Sequence, residues 1–141
     1  MDNSMNQTVS DLPTLLQTMQ PVLREGIYCF SALSDDVVLP HNEIIVLVRE
    51  AEGVSVIVHE QAARCYGLQY AFRAAWITLN VYSDLQAVGL TAAVAQALAQ
   101  AGIACNVVAG LHHDHVFVPH HQANAAMSAL TALQQTACQA A

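Results

Sequence analysis

The sequence predicts an α+β fold, an antiparallel sheet with helices packed on one face. Residues 73–137 read as strand, glycine-bearing turn, alanine-rich helix, strand, histidine-rich turn, strand and helix, with no linker between them. Residues 44–58 read as a hairpin dense in Ile and Val. The second half is thus β-α-β-β-α, one strand short of a complete β-α-β-β-α-β unit. The first half is expected to supply that strand.

The elements follow in order. Residues 1–10 are polar and are expected to form a flexible tail. Ser10 or Asp11 caps a short helix that places Leu12, Leu15, Leu16 and Met19 on one face, with Pro21 as its stop. Residues 27–33 form a buried strand, followed by a polar loop to residue 42. Strands 44–48 and 54–58 are joined through Gly53, and a short helix over 60–66 ends at Gly67, where glycine accepts the left-handed backbone of a helix terminus. A strand over 73–82 opens the second half. Leu90, Val94, Leu98 and Ala101 recur at helical spacing from Gly89 to Gly102. Strands 103–109 and 115–118 flank the turn at 110–114. The last helix puts Ala126, Leu130, Leu133 and Ala137 on one face.

Composition narrows the function classes. Hydrophobic residues make up 55% of the chain and charged residues 11%, so much of the surface is expected to be apolar or covered by a second copy in a homodimer. Net charge is −7, and the only strong cations are Arg24, Arg49, Arg64 and Arg73. Nucleic-acid binding depends on phosphate neutralisation by Lys and Arg, so this balance argues against it. The absence of lysine also removes a Walker phosphate clamp and Schiff-base chemistry. Cys29, Cys65, Cys105 and Cys138 are widely spaced in apolar surroundings. No basic-then-apolar signal opens the chain, so reduced, mostly buried thiols in the cytoplasm are expected. The apolar run over 90–111 is broken by Gln96, Gln100 and Asn106, which argues against a membrane span.

Two regions carry candidate chemistry. In the turn over 83–91, Gly89 lets a backbone or ligand approach closely, and the amides opening the next helix suit a carboxylate. Ser83, Asp84 and Thr91 are placed to take the ammonium or polar end of an amino acid. The alternative is that Ser83 and Asp84 only terminate a strand while Gly89 packs the helix. The second region holds His112, His113, Asp114, His115, His120 and His121. Strand alternation sends His113 and His115 to one side, which makes His113, Asp114 and His115 candidate metal ligands. The alternative is a turn in which Asp114 bonds backbone amides and the histidines are half exposed. Ser55 lies inside a strand rather than on a nucleophile elbow. No dinucleotide glycine motif occurs, and Glu43, Glu50, Glu52 and Glu60 read as solvated hairpin ends. No enzyme activity and no cofactor are expected. Trp76 and Tyr82 share a strand face as core or interface, and Arg49 is placed to pair with Glu43 or Glu60.

Gly89-Leu90-Thr91-Ala92-Ala93-Val94 and Leu98-Ala99-Gln100-Ala101-Gly102-Ile103 resemble the signature of the ACT domain. That family is an amino-acid-binding regulatory module of ferredoxin-like β-α-β-β-α-β fold. With Cys105-Asn106-Val107-Val108-Ala109-Gly110, His113-Asp114-His115 and Phe117-Val118-Pro119, the second half resembles small stand-alone tandem ACT proteins of bacteria. Those proteins are similar to the ACT segments of aspartate kinases and of cytosolic arginine sensors. Gly26-Ile27-Tyr28-Cys29-Phe30 and residues 47–53 resemble their N-terminal segment, while Leu111-His112 departs from the aromatic residue usual there. The resemblance implies two intertwined ACT-like units, 11–72 and 73–141, which often dimerise and hold amino-acid effectors where units meet. Carried over by position, the ligand-facing residues are Ser83, Val88, Gly89, Leu90 and Thr91, with Asn106 and Val108 on the adjoining strand. A protein–protein interaction module without a small ligand is the other reading of the same fold.

Overall fold

The computed structural model describes residues 11–140, so the expected flexible tail at 1–10 lies outside the described residues. The chain runs α1 (Leu12–Thr18), β1 (Gln20–Leu23), β2 (Tyr28–Leu33), β3 (Ile44–Glu50), β4 (Gly53–His59), α2 (Glu60–Cys65) and β5 (Tyr70–Asn80). It continues through α3 (Leu90–Gln100), β6 (Asn106–Ala109), β7 (Asp114–Pro119) and α4 (Ala123–Gln139). Asp11 caps α1: its carboxylate accepts from the Thr14 amide at 3.1 Å, and Pro13 sits in the first turn, where its missing N–H costs nothing.

All the described strands form one antiparallel sheet in the order β3-β4-β2-β5-β7-β6, with β1 also paired to β5. β5 organises it. Its first residues pair with β2 (Tyr28 opposite Ala74), its later residues with β1 (Gln20 opposite Asn80 to Leu23 opposite Ile77), and its other edge with β7. β1 and β2 therefore lie end to end along one edge of β5, bridged where the Arg24 amide donates to the Trp76 carbonyl at 2.8 Å. Two units of identical strand order emerge. One is β2, β3, β4, α2 and the first part of β5; the other is β5, α3, β6, β7, α4 and β1. The strand missing from the second half is β1, and the first unit has a loop with a short 3-10 turn (His41–Glu43) where the second has α3.

Period-2 alternation divides the sheet between two faces. On one face, Ala75, Ile77 and Leu79 of β5 and Val116 and Val118 of β7 pack under α1, α3 and α4, around Leu15, Val94, Leu98 and Leu130. Cys29, Val56 and Val58 extend this side beneath α2. Among the described residues no helix covers the other face. There Tyr28, Phe30, Phe72, Ala74, Trp76 and Phe117 form an aromatic layer, with Tyr28 edge-on to Trp76 and Phe117 stacked on it at 6.0 Å. Phe117 is fully buried, because the sheet curls and brings Val46 of β3 and Val108 of β6, from opposite edges, into the same cluster.

Two expectations are corrected. Glu60 is not a solvated hairpin end but is buried, and it pairs with Arg73 at 2.6 Å and Arg64 at 3.3 Å rather than with Arg49. The Arg73 hydrogen bond holds its carboxyl below the usual range. Of the four thiols only Cys29 is buried, and burial pushes its pKa up; Cys65 and Cys138 are exposed. Among the described residues no helix is long and apolar enough to cross a membrane.

Candidate functional site

β5 ends at Asn80, and the chain turns through residues 81–89 before α3. Asp84 shapes the turn: its Oδ1 accepts from the Gln86 amide at 2.8 Å and its carbonyl accepts from the Ala87 amide at 2.9 Å. Gly89 enters α3 at φ +110°, and among the described residues no side chain caps the helix. The first amides of α3 therefore lack side-chain partners at the positive end of the helix dipole. A methyl group at Gly89 would lie 2.8 Å from Cδ2 of Leu12, so this glycine is also needed for close packing of α1.

Beside this helix opening is a cavity of about 90 Å³, lined by Ser83, Asp84, Leu85, Ala87, Leu90 and Thr91, with Ala109 and Asp114 across from them. Asp114 is the residue that reading the sequence alone did not place here. It opens β7 opposite Leu79 and Ala109, so alternation turns its side chain to the helix face. It is buried, and the equally buried Ser83 hydroxyl donates to its Oδ2 at 3.3 Å. The cavity thus sets two carboxylates, Asp84 and Asp114, beside uncapped helix amides.

Ser83, Asp84, Leu90 and Thr91 of the expected ligand-facing set come together here. Val88 is 85% exposed next to them. Asn106 and Val108 do not line this cavity. They pair with Phe117 and His115, which face the helix-free side, while Val107 and Ala109 face the helices.

The candidate metal ligands do not converge. His113 Nδ1 lies 3.3 Å from the Val81 carbonyl, with its ring against Tyr82. His115 Nδ1 accepts from the Trp76 indole N–H at 3.0 Å and lies 3.2 Å from Thr78 Oγ1. Asp114, between them in sequence, turns to the opposite face. Among the described residues no three His, Cys, Asp or Glu side chains gather as a metal set. Burial first, then the Arg24 cation and His113, hold the His115 pKa below its ordinary value, and Arg24 itself stacks over Trp76 at 4.8 Å.

Two units of one strand order, each with a helix-covered face, and a helix-opening cavity in the second describe a tandem ACT architecture. Two ACT-domain family models match in series, over residues 7–75 and 72–132, and they overlap only within β5. The chain belongs to the ACT-domain family. Among solved structures it is similar to a Vibrio cholerae protein of unknown function, titled a possible transport protein. The two are 38% identical with a TM-score of 0.75, over 87% of this chain and 95% of that one. An Agrobacterium tumefaciens protein shares the fold at 15% identity and TM-score 0.63, over 82% of this chain and 89% of that one. So does the ligand-free regulatory subunit of aspartate kinase from Thermus thermophilus, at 12% identity and TM-score 0.59, over 84% and 97% of the two chains. No curated protein shows significant sequence similarity to the chain.

Proposed function

We propose that this protein is a non-catalytic regulatory module that binds a small amino acid at the opening of α3. The observation that carries the reading is the pairing of opposite chemistries in one cavity. Uncapped helix amides suit a carboxylate, and the carboxylates of Asp84 and Asp114 suit an ammonium. A zwitterion satisfies both, whereas a plain anion meets two carboxylates. At about 90 Å³ the cavity holds the head group and little more, below the ~300 Å³ of ordinary ligand pockets. The ligand's side chain then lies over the exposed Leu85 and Val88, where a second copy of the chain completes the site in a homodimer. The sensing unit is the second one, built on β5, α3, β6, β7 and α4 with β1 as its remaining strand, and the first unit is coupled to it through β5. The exposed thiols of Cys65 and Cys138 suit the reducing cytoplasm.

A thermal-shift and calorimetric screen against the twenty amino acids tests this, with the matching amines and carboxylic acids as controls. A cognate amino acid at a hundred times its Kd adds about 2.7 kcal/mol of stability, neither half-analogue does so, and Asp114→Asn weakens binding about tenfold. Absence of stabilisation by any amino acid, at any protein concentration, rules the reading out.

A further inference from the structure

The curl of the sheet leaves a second concavity on the helix-free face, remote in sequence from the α3 turn. Its volume is about 460 Å³, within the ~300–1,000 Å³ range of small-molecule sites. Phe30 and Ile57 contribute its apolar lining, with Val46 and Val48 from one sheet edge and Val108 from the other. Among the residues that line it, Glu50 alone is charged. Its Oε1 accepts from the Ser55 hydroxyl, another lining group, so the carboxylate is held against the concavity by a partner inside it. Arg49, the neighbouring cation, falls on the opposite side of β3 by strand alternation.

We propose that this trough is a second small-molecule site, for a ligand with an apolar body and a cationic amine end. Charge complementarity fixes the class. The apolar wall of Val46, Val48 and Val108 takes a hydrocarbon or aromatic group, and the oriented Glu50 carboxylate takes an ammonium through a charge-assisted hydrogen bond. A carboxylic acid of the same shape meets Glu50 in a chain of net charge −7 and is excluded. Val48, half exposed, leaves an entrance at the rim. The site is independent of the α3 cavity and stands whether or not an amino acid binds there.

Methyl NMR of the full chain, titrated with phenethylamine, 2-phenylethanol and phenylacetate, tests it. Phenethylamine shifts the Val46, Val48, Ile57 and Val108 methyls saturably, with a Kd about tenfold below that of 2-phenylethanol, and phenylacetate leaves them unmoved. Glu50→Gln, an exposed and structurally mild change, removes the preference for the amine over the alcohol, while Asp114→Asn preserves it. The proposal is overturned if no probe shifts these methyls, if phenylacetate binds as well as the amine, or if Glu50→Gln keeps the preference. It is equally overturned if the methyls respond to protein concentration alone, which would mean that a second copy fills the trough.

Discussion

Replacing Gly89 by alanine separates two causes that meet at one backbone position. At φ +110° an L-residue is strained by about 1–3 kcal/mol. The added methyl also sits 2.8 Å from Leu12 Cδ2, an overpacking contact of about 1–3 kcal/mol. Loss of unfolded-state freedom returns roughly 0.4–1 kcal/mol. The expected net loss is about 1–5 kcal/mol, read from urea denaturation as a lower midpoint at unchanged slope. Leu12→Ala removes the methyl's collision partner but not the backbone strain. The double mutant is therefore less destabilised than the sum of the singles by about 1–2 kcal/mol. A Gly89→Ala loss under about 0.5 kcal/mol, or strict additivity with Leu12→Ala, would falsify the packing role. Gly89 is accordingly a poor probe of ligand binding, since its replacement disturbs α1 before any ligand is present; Asp114→Asn is the cleaner test.

Two further outcomes follow from the helix-free face. Phe117→Ala empties a fully buried aromatic site and costs about 3–5 kcal/mol, with a changed Trp76 near-UV signal because the rings stack; a loss under 1 kcal/mol would mean that this face is not a packed layer. The depressed His115 pKa favours its neutral form in the fold, so its contribution to stability is full above pH 6.5 and is lost as pH falls from there through the folded value. An NMR titration of the His115 ring checks the depression. In Arg24→Gln most of it persists, because burial is its largest cause, and its disappearance would transfer that role to the arginine.

The sequence displayed the long, periodic elements and hid the short ones. α3, α4 and the β3–β4 hairpin follow from spacing alone, and Gly67 has the positive φ its place at a helix terminus suggested. β1 was not legible. Four residues, Gln20–Leu23, carry no alternation, and Pro21 reads as a helix stop; only pairing to β5 makes them a strand. Residues 103–105, expected in β6, lie outside it, and Ile103 is drawn into the core beneath α3. At the candidate site, the turn residues were legible because they are contiguous. Asp114 was not, because its arrival beside Ser83 depends on the register of β7 against β5, and register is a tertiary fact. The same register sends Asn106 and Val108 to the other face, which position matching alone does not foresee.

The sharing of β5 also governs the order in which this chain can fold during synthesis. β1 is made early, yet its partners lie at residues 77–80, and β5's other edge stays open until residues 114–119 emerge. The first unit closes from one contiguous segment, β2 to the first part of β5, whereas the second does not, because its strand β1 precedes the whole first unit. An emerging N-terminal half therefore carries β1 without its partner until residues 77–80 are made, and β5 with one open edge until β7 follows, non-local pairings that favour slow, late folding.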